Sequence, residues 1–306
     1  MSPPEDDTDA RSIILLTHVC RYWREFIISR PNNWTLVSTR SEGLGMLSLR
    51  RAKEAEPLEL QLYMDQVRRE PGFSELINSR IQNAKALCLS QFKTIKELTR
   101  TLPNLTQSAP NLRSLTLVGL GGADWDQSAD PFESLAPGLR YLKLANIPLY
   151  SSFLRLRTLT DLGLDDPRFT LHLDTLLDFL EENRSLESAT LNIRFAQGSL
   201  RSSRREVAIA NKLQYLSIDV GSAVDSKALV SKISLRRSAR LEIRSCGDAE
   251  LKLVMSGVPA NQFANLPSPD FMEHQYHGSE RSIRSTSPRQ RPRASPRILQ
   301  VTMVTY

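Results

Sequence analysis

Residues 112–117, LRSLTL, recur as LRYLKL at 139–144, LTDLGL at 159–164, LESATL at 186–191 and LQYLSI at 213–218. These are copies of one phrase, L-x-x-L-x-L. Aligned on the fourth position, weaker copies join at 57–62 (PLELQL), 84–89 (AKALCL) and 238–243 (SARLEI). The fourth positions are then Leu60, Leu87, Leu115, Leu142, Leu162, Ala189, Leu216 and Leu241, separated by 27, 28, 27, 20, 27, 27 and 25 residues. A near-constant step of this size marks a repeat in which each copy contributes one supersecondary unit.

Side-chain direction says what the unit is. In an extended segment residues two apart point the same way, so Leu115 and Leu117, like Leu142 and Leu144, face one layer while Thr116 or Lys143 faces the other. Strands this short do not fold alone. Stacked in parallel they bury a continuous leucine ladder, and each chain return is long enough to hold a helix. Two of the returns have the required pattern: DTLLDFLEEN puts Leu176, Leu177 and Leu180 on one helical face, and SELINSRIQN does so with Leu76, Ile77 and Ile81. The expected fold class is therefore α/β, a solenoid of parallel strands with helices on the outside.

The phrase and its period resemble the leucine-rich repeats, over about residues 57–245. That family places an asparagine or cysteine three positions after the last leucine. Here those positions hold Asp65, Phe92, Leu120, Ile147, Pro167, Arg194, Gly221 and Cys246, so one copy in eight matches. An irregular leucine-rich-repeat-like solenoid is the expectation.

Upstream lies LLTHVCRYWREFIISRPNNW, residues 15–34. Leu15, Leu16, Val19, Cys20, Trp23, Phe26 and Ile27 recur at spacings of three and four and form one wide apolar stripe, with Arg21, Arg24 and Glu25 off it. The helix should stop before Pro31, which disfavours helical geometry at Arg30. On the residues alone, this is an amphipathic helix capping the open end of the array. Val19, Cys20, Arg21, Trp23 and Arg24, followed by Ser29, Pro31 and Trp34, also resemble the second half of an F-box as fungal proteins carry it. The resemblance implies a Skp-type adaptor and a cullin as partners, with Val19, Cys20, Trp23, Pro31 and Trp34 as motif residues serving mainly in packing. It also implies substrate recognition for an SCF-type ubiquitin ligase, the solenoid holding a protein target and the transfer chemistry lying on other subunits. F-boxes open with a leucine-proline-x-glutamate-isoleucine helix, whereas MSPPEDDTDARSII resembles the loop that follows it. Weak adaptor binding by the chain as given is the expectation, and a ligase-independent leucine-rich-repeat scaffold is the alternative.

Composition sets the remaining bounds. The chain has 306 residues, 40% apolar and 24% charged, enough for a substantial core. No run of about 18 apolar residues occurs, and the acidic start is unlike a secretory leader, so the cytoplasm or nucleus is the expected compartment and a membrane is not an expected partner. Cys20, Cys88 and Cys246 are far apart and form no C-x-x-C pair, so neither disulfides nor zinc is indicated and each is expected to be a small buried residue. VGLGGADW at 118–125 lacks the order of a phosphate-binding loop and reads as a loop after a strand. His274 and His277 lack a third ligand at a recognisable spacing, and Asp165 and Asp166 sit in a turn-like DDPRF without an acid/base partner. No cofactor, metal or catalytic group is expected, and the chain is not expected to be an enzyme.

The net charge is +6, and the segment from Glu280 to Arg297 carries six arginines against one glutamate. This serine-, arginine- and proline-rich stretch cannot build a core. Ser287 and Ser295, each followed by proline, resemble proline-directed phosphorylation sites, where a phosphate would cancel much of the local charge. A solvated tail is expected, with nucleic acid not expected as a partner. The organisation is thus a disordered start (1–10), a partial F-box-like helical segment (11–40), a connecting helix (41–56), the solenoid (57–265) and a disordered basic tail (266–306).

Overall fold

The computed structural model describes residues 14–53, 56–69, 71–101, 109–120, 138–196, 207–208, 212–219, 222–234, 239–244 and 298–301. The protein is α/β and divides into two compact units, Met1–Leu159 and Thr160–Tyr306.

The first unit holds strands β1 (Leu36–Ser38), β2 (Leu58–Tyr63), β3 (Ala84–Phe92), β4 (Ser114–Gly119) and β5 (Tyr141–Ala145), hydrogen-bonded in sequence order and all parallel. The repeat phrase sets the register. Val37 pairs with Leu60, Leu60 with Leu87, Leu87 with Leu115 and Leu115 with Leu142. The sixth positions run parallel to them, Leu62, Leu89, Leu117 and Leu144, and every member of both rows is buried. Between them Gln61, Cys88, Thr116 and Lys143 form the opposite row, each partly exposed. A one-residue slip would exchange the two rows and bring lysine and glutamine into the core, so the pairing is strongly specified.

The second unit repeats the pattern with β6 (Asp161–Leu171), β7 (Ser188–Phe195), β9 (Tyr215–Asp219) and β11 (Arg240–Arg244), again parallel. Leu162 pairs with Ala189, Ala189 with Leu216 and Leu216 with Leu241. All eight aligned fourth positions thus occupy equivalent places on the ladders. Two short strands, β8 (Val207–Ala208) and β10 (Ile233–Ser234), pair separately.

Parallel neighbours need crossovers, and those described contain helices. β2 returns through Met64–Arg69 and Pro71–Arg80, with Met64, Val67, Phe73 and Ile77 buried. β3 is followed by Ile95–Thr101, β6 by Leu173–Glu182 and β9 by Ala223–Lys232. The predicted face Leu176, Leu177 and Leu180 is buried, as is Ile81; Leu76 is only partly so. Asn183 closes the 173–182 helix, its own N–H and its Nδ2 both donating to the Phe179 carbonyl, at 3.1 and 2.9 Å. The shortest step, from Leu142 to Leu162, holds only the four-residue helix Ser151–Leu154.

Four sequence expectations change. Residues 36–38, assigned to the helical segment, form strand β1, because Leu36–Val37–Ser38 continues the ladder upstream of the first phrase and Val37 is fully buried. DDPRF is not a turn: it lies inside β6, where pairing with β7 skips between Asp165 and Thr170, so the extra residues are absorbed as an irregularity in a long strand. The tail is not structureless throughout, since Ile298–Val301 forms β12, antiparallel to β11. Cys20 is exposed and Cys88 partly so, Cys88 because it falls in the outward row of β3. Cys246, His274, His277, Ser287, Ser295 and the expected solenoid boundary at 265 lie outside the described residues.

The asparagine pattern has a local counterpart. Asn146, one residue before the position at which the resemblance places an asparagine or cysteine, adopts φ 55° and donates Nδ2 to the Gly119 carbonyl of the neighbouring strand at 3.4 Å. At the family position itself, Phe92 and Ile147 are buried apolar residues, so in these two copies packing occupies the place of the asparagine.

Candidate functional site: an exposed apolar face at residues 15–28

Residues 14–17 are helical, and a second helix, Arg21–Ile28, follows a short break at 18–20. The second helix ends before Pro31, as expected from the proline. Pro31 itself takes the first position of a 3-10 turn, Pro31–Trp34. That turn swings Trp34 inward, where it is 1% exposed. Its indole N–H donates to the Ile27 carbonyl at 3.1 Å, and the Arg51 guanidinium covers the ring at 4.5 Å from its centre. Asn33 Nδ2 donates to the same carbonyl at 3.3 Å.

The helix Glu42–Arg51 connects this segment to the array. It approaches β1 closely at Gly45: a Cβ there would lie 2.6 Å from the Ser38 carbonyl oxygen and 2.9 Å from the Phe73 ring. At its C-terminal end Arg80 is buried, and its Nη2 donates to the carbonyls of Ala52 and Lys53. A guanidinium placed on the carbonyls just past a helix C-terminus also complements the helix dipole there.

Ile27 and Trp34 are therefore the residues by which the N-terminal segment holds to the rest of its unit. The remaining apolar stripe faces water. Leu15 is 68% exposed, Val19 65%, Tyr22 71% and Trp23 42%, with Leu16 and Ile28 also exposed. Packing was expected of Val19, Cys20 and Trp23, and the structure places all three outside. The reason is geometric: the break at 18–20 turns the stripe, so only Ile27 reaches the core. Capping of the array falls to Ile27, Trp34 and the 42–51 helix.

The exposed face is ordered by its own contacts. Trp23 meets Phe26 edge to face at 5.9 Å between ring centres, and Tyr22 stacks on Phe26 at 6.3 Å. The Arg30 guanidinium lies 4.0 Å from the Phe26 ring centre, Arg21 pairs with Glu25 at 2.8 Å, and Arg24 Nε donates to the Thr17 carbonyl at 2.9 Å. Six of the eight large apolar side chains exposed among the described residues fall between 15 and 28. Scattered exposed apolar residues need no explanation; six within this short segment make it the candidate interaction surface among the described residues. Sequence reasoning missed Tyr22 and Ile28 as members of it, although Tyr22 stands four residues before Phe26, the spacing that brings helical side chains together.

Among the described residues, no group of three or more histidine, cysteine, aspartate or glutamate side chains is placed to hold a metal, and no helix is long and apolar enough to cross a membrane. Asp165 accepts a hydrogen bond from Asn192 Nδ2 at 2.7 Å, a cross-strand contact. No protein-family model matches the chain, and no curated protein matches it.

Proposed function

We propose that the chain is an F-box-type substrate-recognition subunit of an SCF ubiquitin ligase, docking a Skp-type adaptor at its N-terminal helical segment and a protein target on an irregular leucine-rich-repeat-like solenoid. The observation that carries this reading is the concentration of exposed Leu15, Leu16, Val19, Tyr22, Trp23 and Ile28 on one short segment. It is the same segment whose Val19, Cys20, Trp23, Pro31 and Trp34 carry the F-box resemblance. Interface energy concentrates in a few large anchors, tryptophan and tyrosine foremost, and both are present here at the surface. The in-register ladder supports the target-binding half, because stacked repeats present a long, regular strand face. In this role the chain carries no catalytic group of its own.

The test is co-purification with adaptor and cullin. The wild-type chain should retain adaptor weakly but measurably on a column, and Trp23→Ala should lower that retention severalfold without changing the far-ultraviolet circular dichroism. Retention equal in both proteins would place the adaptor elsewhere. No retention by a folded wild-type chain would leave the ligase-independent scaffold as the function.

A further inference from the structure

The strands of the second unit are joined in two different ways. β6, β7, β9 and β11 are parallel, with 16, 19 and 20 residues between successive members, whereas 53 residues separate β11 from β12, which returns antiparallel. Among the described residues β12 has backbone pairing on one side only, with β11. Its register continues the ladder. Val301 pairs with Leu241 and Leu299 with Ile243, the two β11 positions of the buried rows, while Gln300 pairs with Glu242 and Ile298 with Arg244. Residues 298–301 thus carry on the alternation of the repeat phrase without being a copy of it.

This pairing closes an edge. Without it β11 would present a row of unpaired N–H and C=O groups, and the fully buried Leu241 and Ile243 would stand at the open end of the two leucine rows. A strand held at four register positions, on one side, after a long connection is the part of the ladder that opens first, because closing a longer loop costs more entropy and local opening is easiest where backbone pairing is least. Direction says what fits the opened edge. Two copies meeting edge to edge about a two-fold axis perpendicular to the sheet set β11 against β11 antiparallel, with both leucine layers on the same side. β12 already runs antiparallel to β11, so it holds the place and the direction of a second β11. Charge selects the register: with Leu241 against Leu241, Arg240 of each copy stands opposite Glu242 of the other, whereas a shift of one residue sets Glu242 against itself.

We propose that residues 298–301 are a displaceable cap strand that keeps the β11 edge closed against a second copy of this chain, and that release of the cap converts the monomer into a two-fold, edge-to-edge dimer. The inference stands on the strand pairing of the second unit and does not depend on the ligase reading. Capping is intramolecular and independent of protein concentration, whereas pairing of two copies is driven by concentration, so the intact cap prevails in dilute protein.

The full chain and its Leu299→Lys, Val301→Lys double variant are compared by size-exclusion chromatography with light scattering over a wide range of protein concentration. The wild-type chain should elute as a monomer of 34.6 kDa. The double variant should pass to about twice that mass as concentration rises, because lysine is disfavoured at register positions opposite the buried Leu241 and Ile243 and the cap is released. A synthetic peptide of residues 296–303, added in excess, should return the variant to monomer by refilling the edge. Trp23→Ala added to the double variant should leave the dimer intact, which sets edge pairing apart from association through the exposed N-terminal apolar face. Deletion of residues 298–306 should behave as the double variant does, and decides the matter if the lysines unfold the chain. A wild-type chain that is already dimeric, a folded uncapped chain that stays monomeric at every concentration, a dimer that persists in excess peptide, or a dimer dissolved by Trp23→Ala would each overturn the inference.

Discussion

Leu142→Ala is expected to lower stability by about 2 to 5 kcal/mol in chemical denaturation, the range found for large-to-small changes in well-packed cores. Leu142 is fully buried on β5, with Leu115 opposite it and Leu144 two residues along. Removing three carbons there opens a cavity between rungs that neighbouring backbone, fixed by ladder hydrogen bonds, cannot close. Lys143→Ala, one residue away in the outward row, should change stability by less than about 1 kcal/mol. The contrast follows from strand alternation alone. Equal losses at the two positions would contradict the register from which the whole fold is built.

The second large effect separates two tryptophans that lie close in sequence. Trp34→Ala should cost about 3 to 5 kcal/mol, because it empties the space between the N-terminal helix, the 42–51 helix and β1, and removes both the indole bond to Ile27 and the surface under Arg51. Trp23→Ala should cost less than about 1.5 kcal/mol, since 42% of its surface already meets water and its principal ring contact is one edge-to-face pair with Phe26. Thermal midpoints of the two variants check this directly. The sequence motif treats the two residues alike; the structure makes Trp34 an anchor and Trp23 a surface residue.

The ladder was legible because it rests on a periodicity that physical chemistry enforces. Leu60, Leu87, Leu115 and Leu142 had to fall in register once their phrases were stacked, and even Ala189, the weakest of the fourth positions, pairs as its alignment requires. Strand β1 was not legible, since three residues carry no period and Val37 lacks a phrase around it. DDPRF misled because aspartate and proline signal turns locally, while the flanking strand pairing overrides them. The N-terminal stripe was read as one apolar helix, and the structure keeps it helical at 14–17 and 21–28 but breaks it at 18–20, where Val19 and Cys20 lie. Its exposure was not legible, because hydrophobic periodicity says that residues share a face, not what covers it. Whether Ile27 or Val19 turns inward depends on the break at 18–20 and on the Pro31–Trp34 turn, which are tertiary facts.

Hydrogen–deuterium exchange of the chain with and without a Skp-type adaptor tests the central claim most directly, that the N-terminal apolar face is the docking surface. Amides of residues 15–28 should exchange more slowly in the complex, and those of β2 to β5, on the ladder, should be unchanged. Slowed exchange confined to the strands, with residues 15–28 unaltered by a bound adaptor, would contradict it.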